Sequence, residues 1–143
     1  MGKSKLTVLV LEDEPIVSFF LENVLVSHGF RVLLAASAKE AVERFGQHQD
    51  QIDLLIADLT IPDGSGLTVA LQCAQRSAEL RTIITSGTPP RIWKDSDFIE
   101  FELLVSNSAV FLQKPFSAAE LLKTVYGVLQ LPKEFRRVQP VWT

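Results

Sequence analysis

A single cysteine, Cys73, stands in the 143 residues, so no internal disulfide can form and the chain suits a reducing compartment. Val69, Ala70, Leu71 and Ala74 around it read as helix, where a lone thiol serves as a small packing residue. No uninterrupted apolar stretch approaches bilayer length, and Met1 to Lys5 is not followed by a signal-peptide pattern with a small-residue cleavage site. The expectation is a cytoplasmic protein without membrane insertion. Neither sign of charge dominates: 14 Lys and Arg against 17 Asp and Glu leave a net charge of -3, with no dense basic stripe beyond Arg136-Arg137. That balance argues against direct nucleic-acid contact. Hydrophobic residues at 47% and charged ones at 22% are ordinary globular values, and the length supports one good core rather than two domains. No repeat or low-complexity stretch interrupts it.

What is present is an alternation of short apolar runs and helical patterns. Leu6 to Leu11 is a continuous apolar run with two valines, as in a strand buried on both faces. Pro15 opens a helix, Ile16, Val17, Phe20, Val24 and Leu25 give it an apolar stripe, and Gly29 ends it. Val32 to Ala35 reads as a second strand, and Ser37 to Glu40 has the spacing of a capping box before Ala41, Val42 and Phe45. Leu54 to Ala57 is the third strand, followed by the turn-rich Pro62-Asp63-Gly64-Ser65-Gly66 and a helix from Leu67 to about Arg76. Thr82 to Thr85 and Ala109 to Leu112 are the fourth and fifth strands, and Ser117 to Glu120 repeats the capping-box spacing before Leu121, Leu122, Val125 and Leu129. Between Thr88 and Ser108, Pro89-Pro90 forbids an early helix, whereas Phe98, Ile99, Phe101, Leu103 and Leu104 suggest a later one. Strands alternating with helices need crossover connections, so the fold class is α/β, with a parallel sheet covered on both faces.

Four of these runs end in residues that phosphoryl chemistry can use: Glu12-Asp13, Asp58, Ser86 and Lys114. The C-terminal ends of strands in an open parallel sheet converge on one crevice. Several carboxylates gathered there repel one another unless protons or a cation intervene, and Mg2+ suits such oxygen donors. Lys114 offers a compact positive charge and Ser86 a hydroxyl donor, so Asp58 as nucleophile would capture a phosphoryl group. Each residue also has a plainer reading: Glu12, Asp13 and Glu14 as acids at a helix N-terminus, Ser86 as turn chemistry, Lys114 as surface charge.

On Val8 to Glu14, Asp58 to Leu67, Ile84 to Gly87 and Leu112 to Phe116, the chain resembles the receiver domain of two-component response regulators, of the stand-alone type. The likeness extends from Leu6 to Leu131. It implies a flavodoxin-like (βα)5 doubly wound sheet of strand order 2-1-3-4-5, with a tail at 1–5, the receiver at 6–131 and a second tail at 132–143. Asp58 would accept phosphate from a sensor histidine kinase or a histidine phosphotransfer protein and so switch contacts with a downstream target protein. Asp13, Asp58 and the backbone carbonyl of Thr60 would bind Mg2+, with Glu12 acting through a water on the ion. Ser86 would move toward the phosphoryl group and Phe111, three residues before the lysine, would rotate inward; a core phenylalanine with one rotamer is the other reading of Phe111. The Lys114-Pro115 bond would be cis.

The chain departs from that family at one place. Ser86 and Lys114 lie 28 residues apart, several more than in similar receivers, and the extra length falls around the fourth helix, on the face used for output. A homodimer is one arrangement the family allows, and this departure puts its geometry in doubt. Trp93, Phe98, Ile99 and Phe101 form either a contact surface or a longer loop tucked onto the core. After Leu131, Phe135, Val138, Val141 and Trp142 either dock on a partner or fray. His28 and His48 lack a four-helix phosphotransfer context. Two rivals remain: an aspartate-dependent phosphatase, which would want an aspartate where Thr60 stands, and a binding module that works without phosphorylation.

Overall fold

The structure is a computed structural model that describes residues 5–106 and 109–130. Five strands, β1 (Thr7–Leu11), β2 (Arg31–Ala35), β3 (Ile52–Asp58), β4 (Arg81–Ser86) and β5 (Ala109–Gln113), form one sheet in the order β2-β1-β3-β4-β5. Every neighbouring pair is parallel. The parallel sheet is the one expected from the alternation, its flavodoxin-like order is the one the resemblance implied, and each strand begins or ends within two residues of the apolar run that announced it.

Period-two alternation divides the core. Leu9, Leu11, Leu55, Ala57, Ile84 and Phe111 face one layer, which holds α2 (Ala38–Gln47), α3 (Gly66–Arg76) and α4 (Asp95–Val105). Val8, Val10, Leu54, Ile56, Ile83 and Val110 face the other, which holds α1 (Pro15–Ser27) and α5 (Ala118–Gln130). Both expected capping residues act. Ser117 and Glu120 bond reciprocally, side chain to backbone N–H, at 2.8 and 3.1 Å. Ser37 accepts from the Glu40 N–H at 3.1 Å, while the Glu40 carboxylate reaches Ala36, one residue before the cap.

One expectation about a buried face needs correction, and one open choice is decided. Ile16 belongs to no buried stripe: it is 84% exposed, because the inward face of α1 is set by Leu21 and Leu25, and Ile16 sits out of phase with them. Of the two readings of the segment around α4, Trp93 and Phe101 follow the one tucked onto the core. Both are buried, Trp93 edge-on against Phe101 and Phe111, and only Phe98 and Ile99 of that group face outward. Before α4 lies a 3₁₀ turn, Pro90–Ile92, opened by a proline at a position that needs no N–H.

Cys73 is buried and its thiol is pushed up to about 11 by that burial, as suits a packing residue. Among the described residues no helix is long and apolar enough to cross a membrane. The tail at 132–143, the readings placed on it, and all of the tail at 1–5 except Lys5 lie outside the described residues.

Candidate functional site

The crevice is made by residues at or just past the strand ends. Glu12 follows β1, Asp58 ends β3, Ser86 ends β4 and Lys114 follows β5. Parallel register sets them level: Leu11 pairs with Ala57, Asp58 with Thr85, and Ser86 with Gln113. Backbone bonds continue the alignment past the ladders, from Glu12 N–H to the Ala35 carbonyl at 3.0 Å and from Lys114 N–H to the Ser86 carbonyl at 2.8 Å.

Lys114 ties the group together. Its Nζ lies 2.8 Å from Glu12 Oε1 and 2.8 Å from Asp58 Oδ2, with Glu14 Oε1 at 3.9 Å. β5 is two strands from β3, roughly 10 Å at ordinary strand spacing, so only a long side chain crosses the end of β4 to reach the carboxylates. Glu12 is 2% exposed and Asp58 7%. Charges this deep require pairing, and the ammonium supplies it.

The electrostatics follow from burial and pairing. Burial raises the Glu12 pKa above the ordinary carboxylate value, against the lowering pull of the Lys114 hydrogen bond and the Glu14 N–H. For Lys114, burial alone would lower the pKa, but hydrogen bonds to Asp58 and then Glu12 outweigh it and hold the ammonium above its usual value.

Local turns fix Asp58. Asp58 Oδ1 accepts from the Thr60 N–H at 3.2 Å, and the Leu59 N–H donates to the Thr85 carbonyl at 2.8 Å. Thr60 and Ile61 then pair with Ser65 and Gly64 in a short antiparallel ladder. Gly66 passes directly beneath: a Cβ built there would fall on the Asp58 carbonyl oxygen, so the close approach admits only glycine. Asp63, in the same loop, accepts from the N–H groups of Ala38 and Lys39 and ties the loop to the start of α2. These two bonds hold its pKa below the ordinary value.

Carboxylate oxygens of Glu12, Glu14 and Asp58 lie within 4.8 Å of one another, the one such group of three among the described residues. Hard oxygen donors at that spacing fit a divalent cation such as Mg2+. Asp13, half-buried beside them, is not one of the three. The sequence signal pointed to Glu14 as a helix-terminal acid, and it does stand at the N-cap of α1, but its side chain makes no capping bond.

Ser86 is 6% exposed and its hydroxyl engages Thr88, with Oγ to Oγ1 at 3.2 Å. Phe111 is buried on β5 with Trp93 edge-on against it. The Lys114-Pro115 peptide bond is cis. His28 and His48 stand at the C-caps of α1 and α2.

Known proteins carry the same pattern. The family described as "Response regulator receiver domain" matches residues 8–126. The chain is 25% identical to the chemotaxis protein CheY of Bacillus subtilis over 123 residues, 85% of this chain and 96% of that one. It is 30% identical over 124 residues to the sensor kinase CckA of Brucella abortus, spanning 87% of this chain but only 12% of the kinase. Among solved structures, a CheX-CheY-BeF3-Mg complex from Borrelia burgdorferi aligns with a TM-score of 0.73 at 26% identity, covering 86% of this chain and 88% of that one. Vibrio cholerae CheY4 aligns with a TM-score of 0.76 at 20% identity, over 88% and 100%, a likeness of fold. Strand order, crevice and sequence match agree, and the chain belongs to the family of response regulator receiver domains.

Proposed function

We propose that the protein is a phosphoacceptor of a two-component phosphorelay, in which Asp58 receives a phosphoryl group from a histidine kinase or a histidine phosphotransfer protein and contacts with a downstream target change as a result. One observation carries this reading: a single ammonium, Lys114, bonded to two carboxylates that are each less than a tenth exposed. A structural ion pair needs one acid, and the second one overloads the site with negative charge that a cation would relieve.

In the reaction an Asp58 oxygen attacks phosphorus, the P–N bond of phosphohistidine breaks, and the imidazole leaves with its electron pair and takes up a proton. Lys114 passes from the carboxylate to a phosphoryl oxygen, and the Ser86 hydroxyl donates to another. Asp13, Asp58 and the Thr60 carbonyl would hold Mg2+ in this reading, Glu12 would act through a water on the ion, and Glu14 is added by its place in the carboxylate group. The ion, when bound, offsets charge on the transferring group. The chain thus catalyses only its own phosphorylation and dephosphorylation, and the cytoplasmic location suggested by its lone cysteine belongs to the same reading.

A donor must reach Asp58 through the mouth of the crevice. Beside it runs a groove of about 310 Å3 lined by Ile16, Val17, Phe20, Lys114, Pro115 and Phe116, whose apolar rim suits the helix that presents a phosphohistidine. The outward Ile16, a misfit in the core stripe, has a use there. The test is phosphate incorporation from acetyl phosphate with Mg2+, followed by intact mass. The parent chain gains one phosphoryl group and Asp58→Asn gains none; equal labelling of both removes Asp58 from its role.

A further inference from the structure

One side chain outside the acidic pocket is placed to control Ser86. Trp93, just after the 3₁₀ turn, is 9% exposed and meets Phe101 of α4 edge-on, with ring centroids 5.3 Å apart and planes at 79°. It meets Phe111 of β5 in the same way, at 5.5 Å and 81°. Its indole N–H donates to the Thr88 carbonyl at 2.9 Å. Thr88 in turn donates its own N–H to Ser86 Oγ at 3.1 Å.

Each link has a physical reason. A buried indole needs an acceptor for its N–H, and leaving it unpaired is costly, so the Thr88 carbonyl fixes the ring in its place between two phenylalanines. The acceptor is backbone, so the same bond also fixes the segment leaving β4. With Thr88 held, Ser86 Oγ stays within hydrogen-bond distance of both the Thr88 N–H and Thr88 Oγ1, and these two contacts hold the Ser86 side chain on Thr88. The aromatic contact with Phe101 makes α4 the other end of this chain of contacts.

We infer that Trp93 is a positioning residue: through the Thr88 carbonyl it holds the segment after β4 in the arrangement that keeps the Ser86 hydroxyl on Thr88, and it links recruitment of Ser86 by a phosphoryl group to the seating of α4. This rests on the reading of Asp58 as phosphoacceptor and adds a residue outside the acidic pocket. Such a device lowers the affinity for a phosphoryl group by the fraction of molecules in which Ser86 is held. Trp93→Phe keeps the aromatic ring and deletes the donor, so it releases that hold.

The experiment titrates the full chain with fluoroberyllate and Mg2+, reading bound fluoride by 19F NMR and the indole N–H resonances by 15N-1H correlation. Trp93→Phe should bind about threefold to tenfold tighter than the parent, the effect of one neutral hydrogen bond. In a Ser86→Ala background the same substitution should change nothing. In the parent, the Trp93 indole resonance, identified by its loss in Trp93→Phe, should shift on binding, and in Ser86→Ala it should stay. An equal effect of Trp93→Phe with and without Ser86, or an unmoved indole resonance at full fluoroberyllate occupancy, overturns the inference while leaving the phosphoacceptor reading intact. Absence of any bound fluoride signal in the parent overturns that reading and the inference with it.

Discussion

The acidic pocket and the segment after β4 occupy neighbouring strand ends and are held in different ways. Glu12 and Asp58 stand where strands stop, and a salt-bridged lysine fixes them. Ser86 is also set by its strand, but the segment beyond it depends on a ring cluster of Trp93, Phe101 and Phe111 and on single neutral hydrogen bonds. The first is costly to rearrange without a compensating cation. The second can shift by exchanging one weak bond for another. In a switch, the charged part suits chemistry and the aromatic part suits movement.

Breaking each half separately sharpens this contrast. Phe101→Ala removes the buried ring on α4, and should cost about 3–5 kcal/mol of unfolding free energy in urea titrations. Lys114→Met leaves two buried carboxylates without their cation and should cost about 3 kcal/mol in metal-free buffer. Here the halves part: added Mg2+ should restore much of the loss in Lys114→Met and none of it in Phe101→Ala.

Acidity gives a smaller test. Native Glu12 keeps its proton to higher pH than the unfolded chain does, so its contribution to stability is complete below the ordinary carboxylate value and declines as pH rises through its native pKa. Lys114, raised as well, contributes fully below its unfolded value of 10.5 and loses that contribution as pH rises through the native one. In metal-free buffer Glu12→Gln should therefore flatten the fall in urea midpoint above the usual glutamate range, leaving the alkaline fall in place. Smallest of all, Ile99→Ser on the outer side of α4 should change stability by less than about 0.5 kcal/mol, since Ile99 is 58% exposed.

The same contrast marks how far the sequence could be read. Strand ends are legible because an apolar run buried on both faces stops abruptly, and Glu12, Asp58, Ser86 and Lys114 each stand within two residues of such a stop. The two Ser-x-x-Glu caps are legible for a similar reason: their chemistry is local. Glu14 was missed as a pocket acid because its entry depends on where α1 begins relative to β3, which no local spacing encodes. Trp93 stayed open between two readings because an indole among Phe98, Ile99 and Phe101 looks the same in sequence whether it faces solvent or packs on β5. Ile16 was misplaced because an apolar residue in the first turn of a helix can lie off the stripe it extends.

The most direct measurement is to locate the modification itself: treat the protein with acetyl phosphate and Mg2+, reduce the acyl phosphate with borohydride, and sequence the peptides by mass spectrometry. Conversion at Asp58 alone is the result expected of a pocket organised by Lys114. Conversion at Glu12, Asp13 or Glu14 with Asp58 intact would contradict it.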